Sequence, residues 1–497
     1  MAPKRTGRIF RGAPAFIRSA AALVVLALFV YAYLSPGTGA NGLLAFLAGG
    51  QFSAALYGAG LAGAVLVVLI LTALFGRFFC SALCPLGTAQ ELFWRAGAVL
   101  RRKTGKGRPR GIIRRGYAAA PGARYVIPLL AGAGLVFSFA PFMMVFDPLS
   151  SFGRGMGALR GFLAGPGGGG LLAYVLAVPI FLILLAAVPR GRAFCGFCPV
   201  GVTLGLFSSA APFGMNIGAG CVSCGICEKK CPAGCLDSGK KQLDSERCVL
   251  CFSCSSACPS GSVSYGLRTK AGETRRFFLK GAGKASLLCG AAYLLGPAAR
   301  LFPGPSAAAD LPILPPGAKS LRQYAARCIG CQACIASCPA GVIRIKDTLH
   351  PQLDYAALNA AACQFNCVEC GNVCPTGAIT RLDADRKHRT RIALSTLYFE
   401  RCVVNTRHES CGACAEVCPT GALIMTAYDE PGIPFLTRPV YDEQYCIGCG
   451  ACLVACPAEP RAFTLAAVSE QSLTAGPRPS GESGDELRIQ NTDDFPF

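Results

Sequence analysis

The chain has 497 residues and a mass of 51.6 kDa, more than one ordinary core holds, so three or more parts are expected. Hydrophobic residues make up 52% and charged residues 15%, with mean hydropathy +0.44, which points to a membrane protein and excludes a disordered chain. Thirty cysteines in so long a chain do not suit a small disulfide scaffold, and three histidines argue against a multihaem protein. The net charge of +21 is uneven: residues 1–309 carry 32 Lys and Arg against 7 Asp and Glu, and residues 310–497 carry 16 against 20. The basic residues lie beside apolar runs, as they do at a membrane's inner face, so a nucleic-acid partner is not expected.

Four apolar stretches are long enough to cross a hydrocarbon core, which needs about 20 helical residues. They are Phe16–Leu34, Leu56–Phe75, Tyr125–Phe146 and Leu171–Val188. Lys4, Arg5, Arg8 and Arg11 precede the first, and ten basic residues between Arg95 and Arg124 link the second to the third. By contrast the stretch from Ser35 to Gly50 has no charge, and 147–170 holds only Asp147, Arg154 and Arg160. Positive flanks stay inside, which predicts a cytoplasmic N-terminus, a cytoplasmic 77–124 link and a cytoplasmic segment after Val188. Glu91 and Asp147 fall near span ends, where a carboxylate is placed to accept a proton.

This membrane part repeats itself. Arg77-Phe78-Phe79-Cys80-Ser81-Ala82-Leu83-Cys84-Pro85-Leu86-Gly87 follows the second span, and Arg192-Ala193-Phe194-Cys195-Gly196-Phe197-Cys198-Pro199-Val200-Gly201 follows the fourth. Cys80, Cys84, Cys195 and Cys198 suit an extra cluster, a redox disulfide or a docking face.

Six further cysteine runs carry most of the chemistry. Cys221-x2-Cys224-x2-Cys227-x3-Cys231-Pro232 is followed by Cys248-x2-Cys251-x2-Cys254-x3-Cys258-Pro259. Cys328-x2-Cys331-x2-Cys334-x3-Cys338-Pro339 and Cys446-x2-Cys449-x2-Cys452-x3-Cys456-Pro457 have the same spacing. Between them lie Cys363-x3-Cys367-x2-Cys370-x3-Cys374-Pro375 and Cys402-x8-Cys411-x2-Cys414-x3-Cys418-Pro419. The regular spacing is that of bacterial ferredoxins: three thiolates on a tight loop hold one face of a [4Fe–4S] cubane, and the fourth reaches the neighbouring cluster. Structural zinc usually pairs two CxxC knuckles and needs no third Cys with CP. Six [4Fe–4S] clusters are therefore expected. In the first pair of runs the exchange groups Cys221, Cys224 and Cys227 with Cys258, and Cys248, Cys251 and Cys254 with Cys231. Cys235 has no matching partners and reads as a spectator.

Between the modules, Thr274-Arg275-Arg276-Phe277-Phe278-Leu279-Lys280, the apolar stretch Ala285–Pro303 and Ala307-Ala308-Ala309 read as a twin-arginine export signal, with a fifth span as the alternative. Both put the later runs outside the cytoplasm. The fold class expected is a membrane α-helical bundle of four spans, or five if that segment stays as an anchor, with two α+β ferredoxin-like modules. Its parts are a four-span domain (1–210), a cytoplasmic two-cluster module (211–268), the signal or anchor (269–309), an exported four-cluster module (310–470) and a polar tail (471–497).

Residues 1–265 resemble the NapH-type membrane ferredoxins, on the four spans, the two CP motifs, Asp147-Pro148-Leu149 and the two-cluster module. Residues 270–470 resemble the exported NapG/MauM-type ferredoxins, so the chain is similar to a fusion of the two. One departure is Cys195-x2-Cys198, where that family usually has x3. For the later runs the resemblance implies outer runs pairing with each other and inner with inner. The sets implied are Cys328, Cys331, Cys334 with Cys456; Cys446, Cys449, Cys452 with Cys338; Cys363, Cys367, Cys370 with Cys418; and Cys402, Cys411, Cys414 with Cys374. It also implies oxidation of quinol at the bacterial inner membrane and delivery of electrons to a periplasmic reductase or cytochrome. The chain is then an electron-transfer component of a quinol dehydrogenase rather than a complete enzyme.

No other carrier is evident. The spans hold no His to ligate haem b, and no CxxCH occurs. The GxGxxG strings lie in a span (Gly58, Gly60, Gly63) and a glycine run (Gly165, Gly167, Gly170), so no flavin or nucleotide site is expected. Two other readings keep the clusters and change their use: a NosR-like maturation or regulatory scaffold, and a cytoplasmic shuttle between soluble ferredoxins and quinone.

Overall fold

The computed structural model describes residues 6–35, 38–51, 62–103, 146–163, 171–192, 194–268, 311–346, 350–356, 361–428 and 436–479. Helix α1 (Thr6–Leu34) is rich in Ala, Leu and Val, and it stops just before Pro36, which disfavours helical backbone in the residue ahead of it. Its part Ala13–Leu34 is, by length and composition, the one described helix able to cross a membrane. Helix α2 spans Thr38–Gly49, and α3 (Ala62–Phe75) covers the later part of the second expected span. The third expected span lies outside the described residues except for Phe146, as do the twin-arginine segment and residues 104–124.

Helices α4 (Pro85–Lys103) and α7 (Pro199–Ser209) each begin on the proline of a CP motif, whose fixed φ and missing N–H suit a first helical position. Between them lie α5 (Pro148–Leu163) and α6 (Leu171–Arg190), the latter over the fourth expected span. Both α3 and α6 end on a glycine with positive φ, Gly76 and Gly191, directly ahead of the motif arginine. Packing is crosswise. The helix after the first motif, α4, runs along α6, and the helix after the second, α7, runs along α3. Each motif is thereby clamped between its own helix and that of its repeat.

The first ferredoxin module is bracketed by an antiparallel pair, β1 (Phe213–Ile217) and β4 (Val263–Leu267), with a small hairpin of β2 (Leu236–Asp237) and β3 (Gln242–Leu243) between them. The second has hairpins β5 (Ile343–Arg344) with β6 (Gln352–Leu353) and β8 (Leu423–Ala427) with β9 (Thr437–Tyr441). The long pair β7 (Thr390–Leu397) and β10 (Phe463–Leu473) ties its halves together. The packed chain continues past the expected boundary at 470. Gln471 donates to the carbonyl of Pro315 at 2.9 Å, and Arg478 pairs with Asp442 at 2.7 Å, so residues 471–479 belong to the module rather than to a tail.

The second module sits on the helical domain. Tyr33 donates to the Cys331 carbonyl (2.9 Å), Asn41 to Glu369 (3.0 Å) and Arg160 to the Ala336 carbonyl (2.7 Å). Gly153 and Gly157, one turn apart on α5, leave room for the Cys331 carbonyl and the Gln332 side chain, space that a Cβ would fill.

Candidate metal centres

In all four regular runs the residue two after the first cysteine and the residue just after the second have positive φ. These are Ser223 and Gly225, Leu250 and Phe252, Gly330 and Gln332, and Gly448 and Gly450. Each loop then enters a one-turn helix that carries the third cysteine, such as Ile226–Lys230 or Ala333–Ser337. Left-handed residues in this rhythm turn successive N–H groups toward one point, a nest suited to an anionic centre. Non-glycine residues pay roughly 1–2 kcal/mol for that conformation, so Leu250, Phe252 and Gln332 hold it because the loop requires it. The irregular runs differ here: Val368 and Gly412, at the start of their short helices, have φ near −120°.

Tight convergence on one metal ion is absent: among the described residues no three His, Cys, Asp or Glu meet closely enough for it. The thiols instead stand around voids. Cys338, Cys363, Cys367 and Cys370 line one of about 340 Å³, and Cys418, Cys446, Cys449 and Cys452 one of about 350 Å³, each with its open mouth included. Such sets fit a cubane, each thiol taking a corner. Cys374 lies against Cys328, Cys331 and Cys334, and Cys456 against Cys402. This corrects the pairing of outer with outer and inner with inner runs: successive runs exchange their fourth cysteine. The physical reason is local, since the hairpin β5–β6 folds the second run straight back onto the first. The two halves then meet through a bond from the Cys363 N–H to the Cys449 carbonyl, 3.0 Å. In the first module Cys227 neighbours Cys221, Cys224 and Cys258, and Cys254 neighbours Cys248, Cys251 and Cys231. Cys235 is no bystander there: its Sγ lies 3.5 Å from that of Cys231, and it also bonds Cys248.

The structure brings the four CP cysteines together. Cys80, Cys84, Cys195 and Cys198 line a single partly open pocket with Pro148, with about 300 Å³ of empty space when its mouth is included. Gly87 N–H points at the Cys84 sulfur (3.4 Å), Gly201 N–H at that of Cys198, and Gln90 at that of Cys195 (3.7 Å). Sequence reasoning missed the arginine three residues ahead of each pair, although the repeat carried the signal. Arg77 donates to the Cys195 carbonyl (3.3 Å) and the Glu246 carbonyl (2.6 Å), while Arg192 donates to the Cys80 carbonyl (2.6 Å).

Glu91 takes a different part from the one expected. Its carboxylate is shared by Arg192, Arg18 and Arg95. Burial alone would raise its pKa, but the hydrogen bond from Arg18 and the charges of Arg192, Arg18 and Arg95 outweigh that and hold it at about 2. A carboxylate so committed is a fixed counter-charge, not a proton acceptor at neutral pH. Asp147, fully buried, caps α5 by accepting from the N–H (2.7 Å) and hydroxyl (2.9 Å) of Ser150.

Together the loops and pockets define an iron–sulfur protein with several 4Fe–4S binding domains, a polyferredoxin in its cysteine layout. A 4Fe–4S binding domain model matches residues 57–107, 171–217 and 370–392, and a 4Fe–4S dicluster model matches 327–378 and 401–460. A further 4Fe–4S model matches 219–234. The dicluster matches each take in two successive runs, as the folded pairing does. The chain is 31% identical to an uncharacterized protein of Methanocaldococcus jannaschii, over 34% of this chain and 63% of that one. It is 28% identical to YccM of Escherichia coli K12, over 33% of this chain and 44% of that one. It is also 28% identical to the ferredoxin-type protein NapG of Haemophilus influenzae, over 39% of this chain and 71% of NapG. The chain thus spans less than two thirds of the first two. No solved structure is a significant match.

Proposed function

We propose that the chain is a membrane-anchored relay that takes electrons from the quinol pool and delivers them to a reductase or cytochrome outside the cytoplasm. Six [4Fe–4S] clusters carry them. The first module holds two, on Cys221, Cys224, Cys227 and Cys258 and on Cys248, Cys251, Cys254 and Cys231. The second holds four, on Cys328, Cys331, Cys334 and Cys374; Cys363, Cys367, Cys370 and Cys338; Cys402, Cys411, Cys414 and Cys456; and Cys446, Cys449, Cys452 and Cys418. One observation carries the reading: Cys251 of the first module and Cys331 of the second belong to the same packed core as Phe29, Leu86 and Leu149 of the helical domain. Carriers seated on two parts of one apolar body suit transfer between them. Four spans, a cytoplasmic first module and an exported second one follow from the basic flanks of the apolar runs and the Arg275-Arg276 segment.

The test uses the full chain purified without oxygen. A menaquinol analogue should bleach the cluster absorbance and produce the EPR signals of reduced clusters. Clusters that dithionite reduces but quinol leaves oxidised would overturn the relay. Alkaline phosphatase fused after Phe497 should be active in cells; silence there would end the exported half of the reading.

A further inference from the structure

We infer that Cys80, Cys84, Cys195 and Cys198 hold a seventh [4Fe–4S] cluster, two ligands from each CP motif, lying between the two ferredoxin modules. The inference deepens the relay reading, which leaves these four thiols without a task.

The first argument is size and shape. The pocket these cysteines line holds about 300 Å³ of empty space with its open mouth included, close to the about 340 and 350 Å³, mouths included, of the pockets lined by cysteines of the second module's runs. Its thiols are all unbridged and buried. A mononuclear zinc needs them drawn to one point, which they are not.

The second argument is charge. Arg77 and Arg192 are each about 1% exposed, and Arg77 Nη2 lies 3.6 Å from the Cys80 sulfur. Glu91, shared among three arginines, answers only part of this positive charge. Uncompensated buried cations are costly, by several kcal/mol each. Neutral thiols or a disulfide leave Arg77 on carbonyls alone and Arg192 sharing a single carboxylate with Arg18 and Arg95. An oxidised cubane with four thiolates is a dianion, and its two charges balance the pair. N–H groups of Gly87, Gly201 and Gln90 aimed at three of the sulfurs add the hydrogen bonds that iron–sulfur centres attract.

The third argument is place. On one side Arg192 N–H bonds the carbonyl of Pro232, next to Cys231, and Gly76 packs on Leu250, next to Cys251. On the other, Pro148 lines the cavity, and Gly153 on the same helix abuts the carbonyl of Cys331. A cluster here makes the series continuous from the first module to the second. Each exchange would be one electron between neighbouring clusters, with no bond made and no proton moved.

The experiment is metal and sulfide analysis of the full chain isolated anaerobically, with EPR spin counting after dithionite reduction. Seven cubanes give about 28 irons per chain and six give about 24. The double variant C80S/C195S should lose about four irons and one spin, leaving the other signals unchanged. A wild-type chain with about 24 irons, or a variant that keeps the wild-type count, overturns the inference. So does one zinc per chain. If the variant does not assemble, the wild-type count decides alone. Seven clusters in a chain that quinol cannot reduce would sink the relay and leave this site standing.

Discussion

Arg77 and Arg192 are exchanged across an internal repeat: each grips the first-cysteine carbonyl of the other motif, Cys195 and Cys80 respectively. The exchange goes further than the pair. Arg192 ends on the Glu91 carboxylate, whereas Arg77 ends on the Glu246 carbonyl, because Gly205 stands in the second repeat where Glu91 stands in the first. Gly205 also has no room for a side chain, since the Glu246 carbonyl fills the place of its Cβ. One repeat thus closes on a side chain of its own and the other on the backbone of the first ferredoxin module.

Replacing one member of this network should cost far more than a surface ion pair. Arg192→Met leaves Glu91 buried with one strong partner fewer and frees the Cys80 carbonyl. The expected loss is about 3–5 kcal/mol for the helical domain, read as a lower thermal midpoint in detergent. Arg95→Met, which removes a half-exposed partner of the same carboxylate, should cost less than about 1 kcal/mol. Equal effects from the two would argue against a buried role for Arg192.

The same carboxylate sets an acid limit. Its folded pKa of about 2 lies below the ordinary value near 4.3. A depressed carboxyl contributes its stability fully above the unfolded value and loses it as pH falls through the folded one. Stability of the helical domain should therefore owe no pH dependence to Glu91 between pH 8 and about 5, then drop between about pH 4 and 2, by up to about 3 kcal/mol. Circular dichroism melts across that range, with Glu91→Gln as reference, check it. The variant should be less stable at neutral pH and should lack this part of the acid fall.

Pairing between runs can be counted in iron. Because Cys338 lies with Cys363, Cys367 and Cys370, the double variant C338A/C363A should lose one cluster, about four irons. C338A/C446A should lose two, about eight irons, since Cys446 belongs with Cys418. The outer-with-outer scheme gives the reverse pattern.

Much of this was legible in the residues, and the limits were physical. Cysteine spacing announces a cubane because three thiolates must meet one face of it, and that holds whatever surrounds the loop. Which run supplies the fourth ligand is a question of tertiary contact, and spacing does not carry it; the β5–β6 hairpin decided it, through two strands of two residues each. Arg77 and Arg192 looked like inner-face charges because a basic residue after an apolar run usually is one. Their burial comes from the crosswise packing of α4 on α6 and α7 on α3, which no local pattern encodes. Glu91 misled for the same reason: its partners Arg18 and Arg192 lie 73 and 101 residues away. Cys235 sits four residues from Cys231, and only the turn after Pro232 brings their sulfurs together.

A last prediction concerns potential. Lys387 is about 1% exposed, and its charge bears on Cys363, Cys367 and Cys370. Each electron added to a cluster on these thiols adds negative charge, so a buried ammonium beside them favours the reduced state. Lys387→Met removes the charge while keeping most of the apolar stem. One cluster of the second module should then move to a more negative potential by about 60 mV or more, the equivalent of ~1.4 kcal/mol for one electron. An EPR redox titration of the full chain reads this as a single displaced step. The cluster on Cys402, Cys411, Cys414 and Cys456, whose thiols include none of those Lys387 bears on, should titrate where it did before. If every step moves together, the effect is a general loosening of the module and not the charge of Lys387.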